Sequence, residues 1–338
     1  MASSKHTVTC HLQPAPCNFS TLPMFAYLTS RIARWTIGLL IVAFVSYAMM
    51  FYGAGDPIKR MFLDMEGGGV EVDAKTVEVI RAKYGLDKPF PQQFASYLGN
   101  LVQGDWGTSI REKRPVWNMV RARLPISMQI GLVATLFSVL LGIPLGILAA
   151  FYHNRLIDQV IVGASVFVNA VPIFVTGPIL LLFLVVGLDW MDVPFGWKGI
   201  FNSQVILPIV VLSLGPLPTI IRQTRAGLLE VMGEDYIRTA RAKGLTQGLI
   251  IFRHMLRPVL IPVATAVGLI LISLVNGALF VEQLFSIPGF GKLTIQGVQQ
   301  IDYPVIMATV LVGALIVMVG NLLIDLVYPL LDPRITRK

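Results

Sequence analysis

Gly233-Glu234-Asp235-Tyr236-Ile237-Arg238-Thr239-Ala240-Arg241-Ala242-Lys243-Gly244-Leu245 is a short polar stretch inside an otherwise apolar chain. Its charges are ordered as a helix prefers. Glu234 and Asp235 stand in the first turn, Arg241 and Lys243 in the last, and each complements the helix dipole. Gly233 breaks the pattern before it, and Gly244 stands where a left-handed C-terminal cap belongs. The spacing predicts a helix over 234–243, about 15 Å long at 1.5 Å per residue. Ala240, Ala242 and Gly244 are small enough to let another surface approach the backbone. The plainer alternative is a solvated loop between two hydrophobic segments.

The surroundings decide between these. Of the 338 residues, 55% are hydrophobic and only 14% charged, with a mean hydropathy of +0.71. A soluble domain carries about 25% charged residues. This is the composition of an all-α polytopic membrane protein. The net charge of +8 comes without a basic run or basic–aromatic interleaving, which argues against a nucleic-acid partner. The basic residues flank apolar segments and read as topology signals. Cys10 and Cys17, both near the N-terminus, build neither a disulfide framework nor a zinc site.

Residues 1–24 are polar, lack an apolar signal core and read as a disordered tail. Arg31 and Arg34 precede a first transmembrane helix within 25–52, which places that end in the cytoplasm. Residues 53–124 form the one long polar region, a small external cap with helices predicted from Asp73 to about Tyr84 and from Pro89 or Pro91 to about Gln103. Residues 125–338 hold five further spans, at about 126–151, 157–187, 205–221, 259–281 and 304–329. The third contains Pro172 and Pro178 and is expected to be one tilted or kinked helix. The segment from Arg222 to Pro258 holds seven Lys and Arg residues, which fixes it as cytoplasmic. The opening stretch therefore lies in the longest cytoplasmic loop, and both termini fall inside.

No catalytic, cofactor or metal constellation appears. The four histidines are scattered. Gly289-Phe290-Gly291-Lys292-Leu293 fails as a phosphate loop, because Ser286 and Leu293 stand where Gly and Ser or Thr are required; it reads as a turn between short elements. A proton-coupled carrier needs a buried carboxylate or histidine near mid-membrane, and none is seen within the spans. Asp158 and Asp325 sit near cytoplasmic ends, where they can reach water or pair. Asn169 and Asn276 are the most central polar side chains, and either join helices or line a substrate path. The chain reads as a conduit driven from elsewhere, rather than as a self-sufficient channel or carrier.

At residues 234–245 the sequence resembles the coupling loop of binding-protein-dependent ABC importers, and more narrowly the B-type permease subunit of the dipeptide, oligopeptide and nickel group. The same group is matched by Gly55-Asp56-Pro57, Tyr84-Gly85-Leu86-Asp87-Lys88-Pro89, Gly104-Asp105-Trp106-Gly107-Thr108-Ser109, Gly142-Ile143-Pro144-Leu145-Gly146, Pro288-Gly289-Phe290-Gly291, Asp302-Tyr303-Pro304 and Asp332-Pro333-Arg334-Ile335. The general motif has Glu-Ala-Ala where this chain has Arg238, Thr239 and Ala240; the acids Glu234 and Asp235 lie one turn earlier. The resemblance implies a six-helix type I importer permease fold in a bacterial or archaeal cytoplasmic membrane. It implies a C-type permease as partner, two cytoplasmic ATPase subunits that bind ATP and magnesium, and an external solute-binding protein delivering peptides. Nickel chelates, glutathione or short sugars are the alternative cargoes. It implies that Glu234, Asp235, Tyr236, Arg238, Thr239, Ala240, Lys243 and Gly244 form the helix that seats on an ATPase, with the small face of Ala240 and Gly244 toward it.

Overall fold

The structure is a computed structural model that describes residues 24–53, 78, 79, 81 and 87–331, with the side chains of 24–30, 274–277 and 325–331 outside the description. The expected tail and the Asp332-Pro333-Arg334-Ile335 ending lie outside the described residues; of the helix expected from Asp73 to Tyr84 only Glu78, Val79 and Arg81 are described, and all three are helical. Among those described all regular structure is helical, apart from one isolated antiparallel bridge between Thr108 and Pro115.

Helix α1, Met24–Gly53, is followed by α2, Phe90–Val102, which starts at Pro89 as the sequence predicts. Phe44, Tyr47 and Phe51 of α1 meet Phe90, Phe94 and Tyr97 of α2 edge-on or tilted, with Phe51 and Phe90 centroids 5.4 Å apart. Helix α2 is thus docked on the first helix by aromatic packing.

Helix α3, Val116–Phe151, has 36 residues, about 54 Å at 1.5 Å per residue, well beyond a bilayer core of about 30 Å. It starts ten residues before the span expected at 126, and so crosses the expected cap boundary at 124. The extra turns are held by burial of Val116, Met119 and Val120 against Phe290, Leu293 and Val305. Arg123, so close to a span, donates to Gln296 Oε1 at 2.7 Å and pairs with Glu112 at 3.3 Å.

The third expected span is a broken one rather than a kinked helix. Helix α4, Leu156–Ala170, and α5, Ile173–Leu181, which continues as a π-helical turn to Gly187, are bent by 102°. Proline disfavours a helical residue before it, and both Val171 and Pro172 are extended, with ψ of 119° and 142°. Two successive extended residues reorient the chain instead of kinking it.

The fourth span is bent too, by 50° at Gly215-Pro216, between α6, Ile206–Leu214, and α7, Leu217–Met232. Helix α7 runs eleven residues past the expected end at 221 because Thr224 and Leu228 continue its buried face. Then come α8, Asp235–Ala242; a short turn Gln247–Leu249; a π-helical turn Ile250–Met255; and α9, Leu256–Gly277. Helices α10, Leu279–Leu284, and α11, Phe290–Gln299, precede α12, Tyr303–Leu331. Among the described residues four helices are long and apolar enough to cross a membrane unbroken, and the two bent pairs bring the number to six if each is one span.

Helix α3 is the axis of the bundle and packs most extensively on α7. Gly142 and Gly146 permit this. A Cβ at Gly142 would lie 2.7 Å from Ile220 Cγ2, and one at Gly146 2.6 Å from Thr224 Cβ and 2.9 Å from the Ile221 carbonyl. Glycines four residues apart let two membrane helices approach at backbone distance.

Candidate functional site

Helix α8 is amphipathic at short range. Ile237 is fully buried and Ala240 is 6% exposed. Both pack into a cluster with Ile220 and Leu228 of α7, Ile250 and Met255 of the π-helical turn, and Val259 of α9. Asp235, Tyr236, Arg238, Thr239, Arg241, Ala242, Lys243 and Gly244 remain exposed. The small face expected at Ala240 therefore turns inward. It is small because the chain's own core covers it, and the face left in solvent is the charged one.

The ends of α8 are built as the sequence predicts. Glu234 is the extended N-cap residue, and Asp235 begins the helix. At the other end Gly244 has a φ of 73°, its N–H donates to the Arg241 carbonyl at 3.0 Å, and the Leu245 N–H reaches the Ala240 carbonyl at 3.4 Å. This is a Schellman pair, and Leu245 folds back onto the buried cluster. Asp235 and Arg238 pair at 3.4 Å in full solvent, an interaction of little energetic weight. Partial burial and the charge of Glu234 hold the Tyr236 hydroxyl above its ordinary pKa.

Two polar nodes join elements, one linking α7 to α4 beside this platform and the other linking α10 and the start of α11 to α3. Arg225 of α7 grips Asp158 of α4 through Nε and a terminal nitrogen, both at 2.7 Å, and His153 lies 3.0 Å from the same guanidinium. Asp158 also accepts from the Asn154 N–H at 2.9 Å. It is paired, as its position near a helix start allowed.

The second node was not anticipated. Glu282, in α10 just past the expected fifth span, is fully buried. One carboxylate oxygen accepts from Ser127 Oγ of α3 at 2.5 Å, and the other from the Lys292 N–H at 2.9 Å. Ser127 in turn accepts from the Phe290 N–H at 2.7 Å. Gly289 and Gly291 lie against this group; a Cβ on Gly291 would stand 2.7 Å from the Leu279 Cα. The Pro288-Gly289-Phe290-Gly291 turn is thus a cradle that brings the N-terminus of α11 onto a buried acid. This buried carboxylate lies one residue past the expected fifth span, outside the stretches in which the sequence shows no mid-membrane acid. All of its bonds go to the protein, so it serves to join elements. The glycines bracketing Phe290 were the available signal for a close approach.

Asn169 is exposed in the last turn of α4, beside the break at Val171. Asn276 lies in the last turn of α9, and its side chain, like that of Asp325, is outside the described residues. Nothing places the two asparagines on one path. Among the described residues no three His, Cys, Asp or Glu side chains are grouped to hold a metal.

Residues 142–337 match the family model described as binding-protein-dependent transport system inner membrane component, and residues 24–131 match the model of its N-terminal part. The oligopeptide transport system permease protein AppB of Bacillus subtilis is 38% identical, over 92% of this chain and 99% of its own length. The dipeptide transport system permease protein DppB of Escherichia coli K12 is 35% identical, over 89% and 97%. The glutathione transport system permease protein GsiC of Pectobacterium atrosepticum is 35% identical, over 93% and 100%. Among solved structures, a chain of the inward-facing MetNI methionine ABC transporter superposes with a TM-score of 0.50 at 20% identity, covering 63% of this chain and 98% of that one; this likeness concerns the fold.

Proposed function

The chain belongs to the family of binding-protein-dependent transport system inner membrane components, and we propose on that footing that it is the permease subunit of an ATP-driven importer of di- or oligopeptides. The observation that carries the coupling part of this reading is α8: a helix whose apolar side is fixed in the bundle core while its charged side faces solvent. Two cytoplasmic ATPases, a homologous C-type permease and an external solute-binding protein complete the assembly. ATP and magnesium belong to the ATPases.

The geometry supports a mechanical route. A push on the exposed side of α8 passes through Ile237 and Ala240 into α7 and the π-helical turn. From there it reaches α3 through the glycine seam and α4 through the Arg225–Asp158 pair. Such rigid connections suit switching between discrete packings. Cargo follows the relatives' names, which favour peptides; glutathione, itself a short peptide, lies within the same chemistry.

The test is reconstitution. Proteoliposomes holding the four membrane-associated subunits and supplied with the binding protein should accumulate labelled dipeptide only with ATP inside the ATPase-accessible compartment. Uptake by this chain alone, or uptake without ATP, would replace the importer with a channel or carrier.

A further inference from the structure

We propose that the cavity enclosed by α1, α2, the 105–113 loop and the start of α12 is a binding site for the headgroup of an anionic phospholipid. The inference stands apart from what the importer carries. The cavity measures about 650 Å³, within the range of about 300–1,000 Å³ for sites that take small molecules.

Its place is the membrane–water interface. Tyr47 lies toward the end of α1 remote from Arg31 and Arg34, and Tyr303 opens α12. With Tyr97 and Trp106 these make a wall of four amphipathic rings, the residue type that collects at headgroup level. On the same face of α1 as Tyr47, Leu40 and Phe44 stand seven and three residues before it and are exposed, which offers acyl chains an apolar strip beside the cavity.

The charge is directed. Lys88 and Lys113 line the cavity, are exposed, and have no ion-pair partner among the described residues. Among the described residues the one carboxylate in the lining, Asp105, already accepts from the Gly107 N–H at 2.9 Å. Lys113 is also held at a φ of 55°, a conformation that a lysine rarely adopts. A closed turn imposes it: Lys113 N–H donates to the Ser109 carbonyl at 3.0 Å and Ser109 N–H to the Arg114 carbonyl at 2.9 Å. Buried Asp302 fixes that turn by accepting from Ser109 Oγ at 2.5 Å and from the Ile110 and Arg111 N–H groups, both at 3.3 Å. A cation kept at a costly backbone position by a buried anchor is a placed cation. The Tyr97 hydroxyl is buried and has no hydrogen-bond partner among the described residues; a phosphate oxygen would supply an acceptor.

The experiment uses the purified importer in detergent, stripped of lipid and offered equal parts phosphatidylglycerol and phosphatidylcholine, with bound lipid read by native mass spectrometry. Phosphatidylglycerol should be enriched. Lys88→Ala with Lys113→Ala should reduce that enrichment about 30-fold, the equivalent of about 2 kcal/mol for two lysines beside an anionic lipid. Tyr97→Phe should reduce it several-fold, and Lys198→Ala, an exposed lysine elsewhere, should leave it unchanged. Equal retention of the two lipids, or enrichment that survives the double substitution, overturns the proposal. So does displacement of the lipid by inorganic phosphate alone, which makes this a free-anion site, or by dipeptide, which makes it a cargo site.

Discussion

Ala240 and Gly244 lie one turn apart, yet different forces fix them. Ala240 is limited by volume, because Ile220, Leu228 and Met255 cover it. Gly244 is limited by conformation: no atom would meet an added Cβ within 4 Å, but its φ of 73° strains any β-branched residue by about 1–2 kcal/mol. Ala240→Arg should therefore force a charge into the apolar cluster and lower membrane abundance of the subunit. Arg238→Glu and Lys243→Glu, both on the exposed face, should leave abundance unchanged while ATPase co-purification and peptide uptake fall. Immunoblots, pull-downs and uptake assays on the three variants separate folding from docking; full uptake and retention in both charge reversals would take this face out of coupling. At Glu282 the expectation concerns stability. Glu282→Ala removes the acceptor for the Ser127 hydroxyl and the Lys292 N–H, at about 1–3 kcal/mol for each buried group left unpaired. The thermal midpoint in detergent should drop clearly, and less in Glu282→Gln, which keeps one oxygen acceptor. A midpoint unchanged by Glu282→Ala would show the node to be energetically idle.

Among elements, the α3–α7 seam sets the tightest tolerance. Gly146→Leu should overpack Thr224 and the Ile221 carbonyl, costing about 1–3 kcal/mol, whereas Gly248→Ala, with open space around it, should be neutral. Detergent melting curves of the two variants provide the comparison, and equal curves would contradict the seam. Apolar length made the spans legible in the sequence, and charge order with a terminal glycine made α8 legible. The 102° break was hidden because a proline in a greasy run reads equally well as a kink. The true ends of α3 and α7 were hidden because tertiary packing, not hydropathy, extends them. The inward face of Ala240 was hidden for a related reason: periodicity identifies the apolar side of a helix but not which surface covers it. Glu282 escaped notice because the loop around it was read as external, so its burial had no signature beyond two nearby glycines.

For the whole molecule, the distribution of basic residues predicts that the α7–α9 connection faces the cytoplasm and the 188–204 loop the exterior. In a cysteine-free background Thr239→Cys should resist an impermeant thiol reagent in intact cells, and Lys198→Cys should react. Labelling of position 239 from outside would invert the topology. One further property concerns time. Ser109 bonds to Asp302, 193 residues later, Arg123 to Gln296, 173 later, and Ser127 to Glu282, 155 later. At about 5–20 residues per second, the ribosome needs roughly 10–40 s to deliver Asp302 after Ser109. During that interval the first third of the chain waits without the partners of its Ser109 and Ser127 hydroxyls and with Arg123 held only by Glu112, exposed to membrane proteases. A nascent chain that stalls before α10 has no means of closing on itself, so a premature stop there is expected to yield degradation rather than a shortened permease.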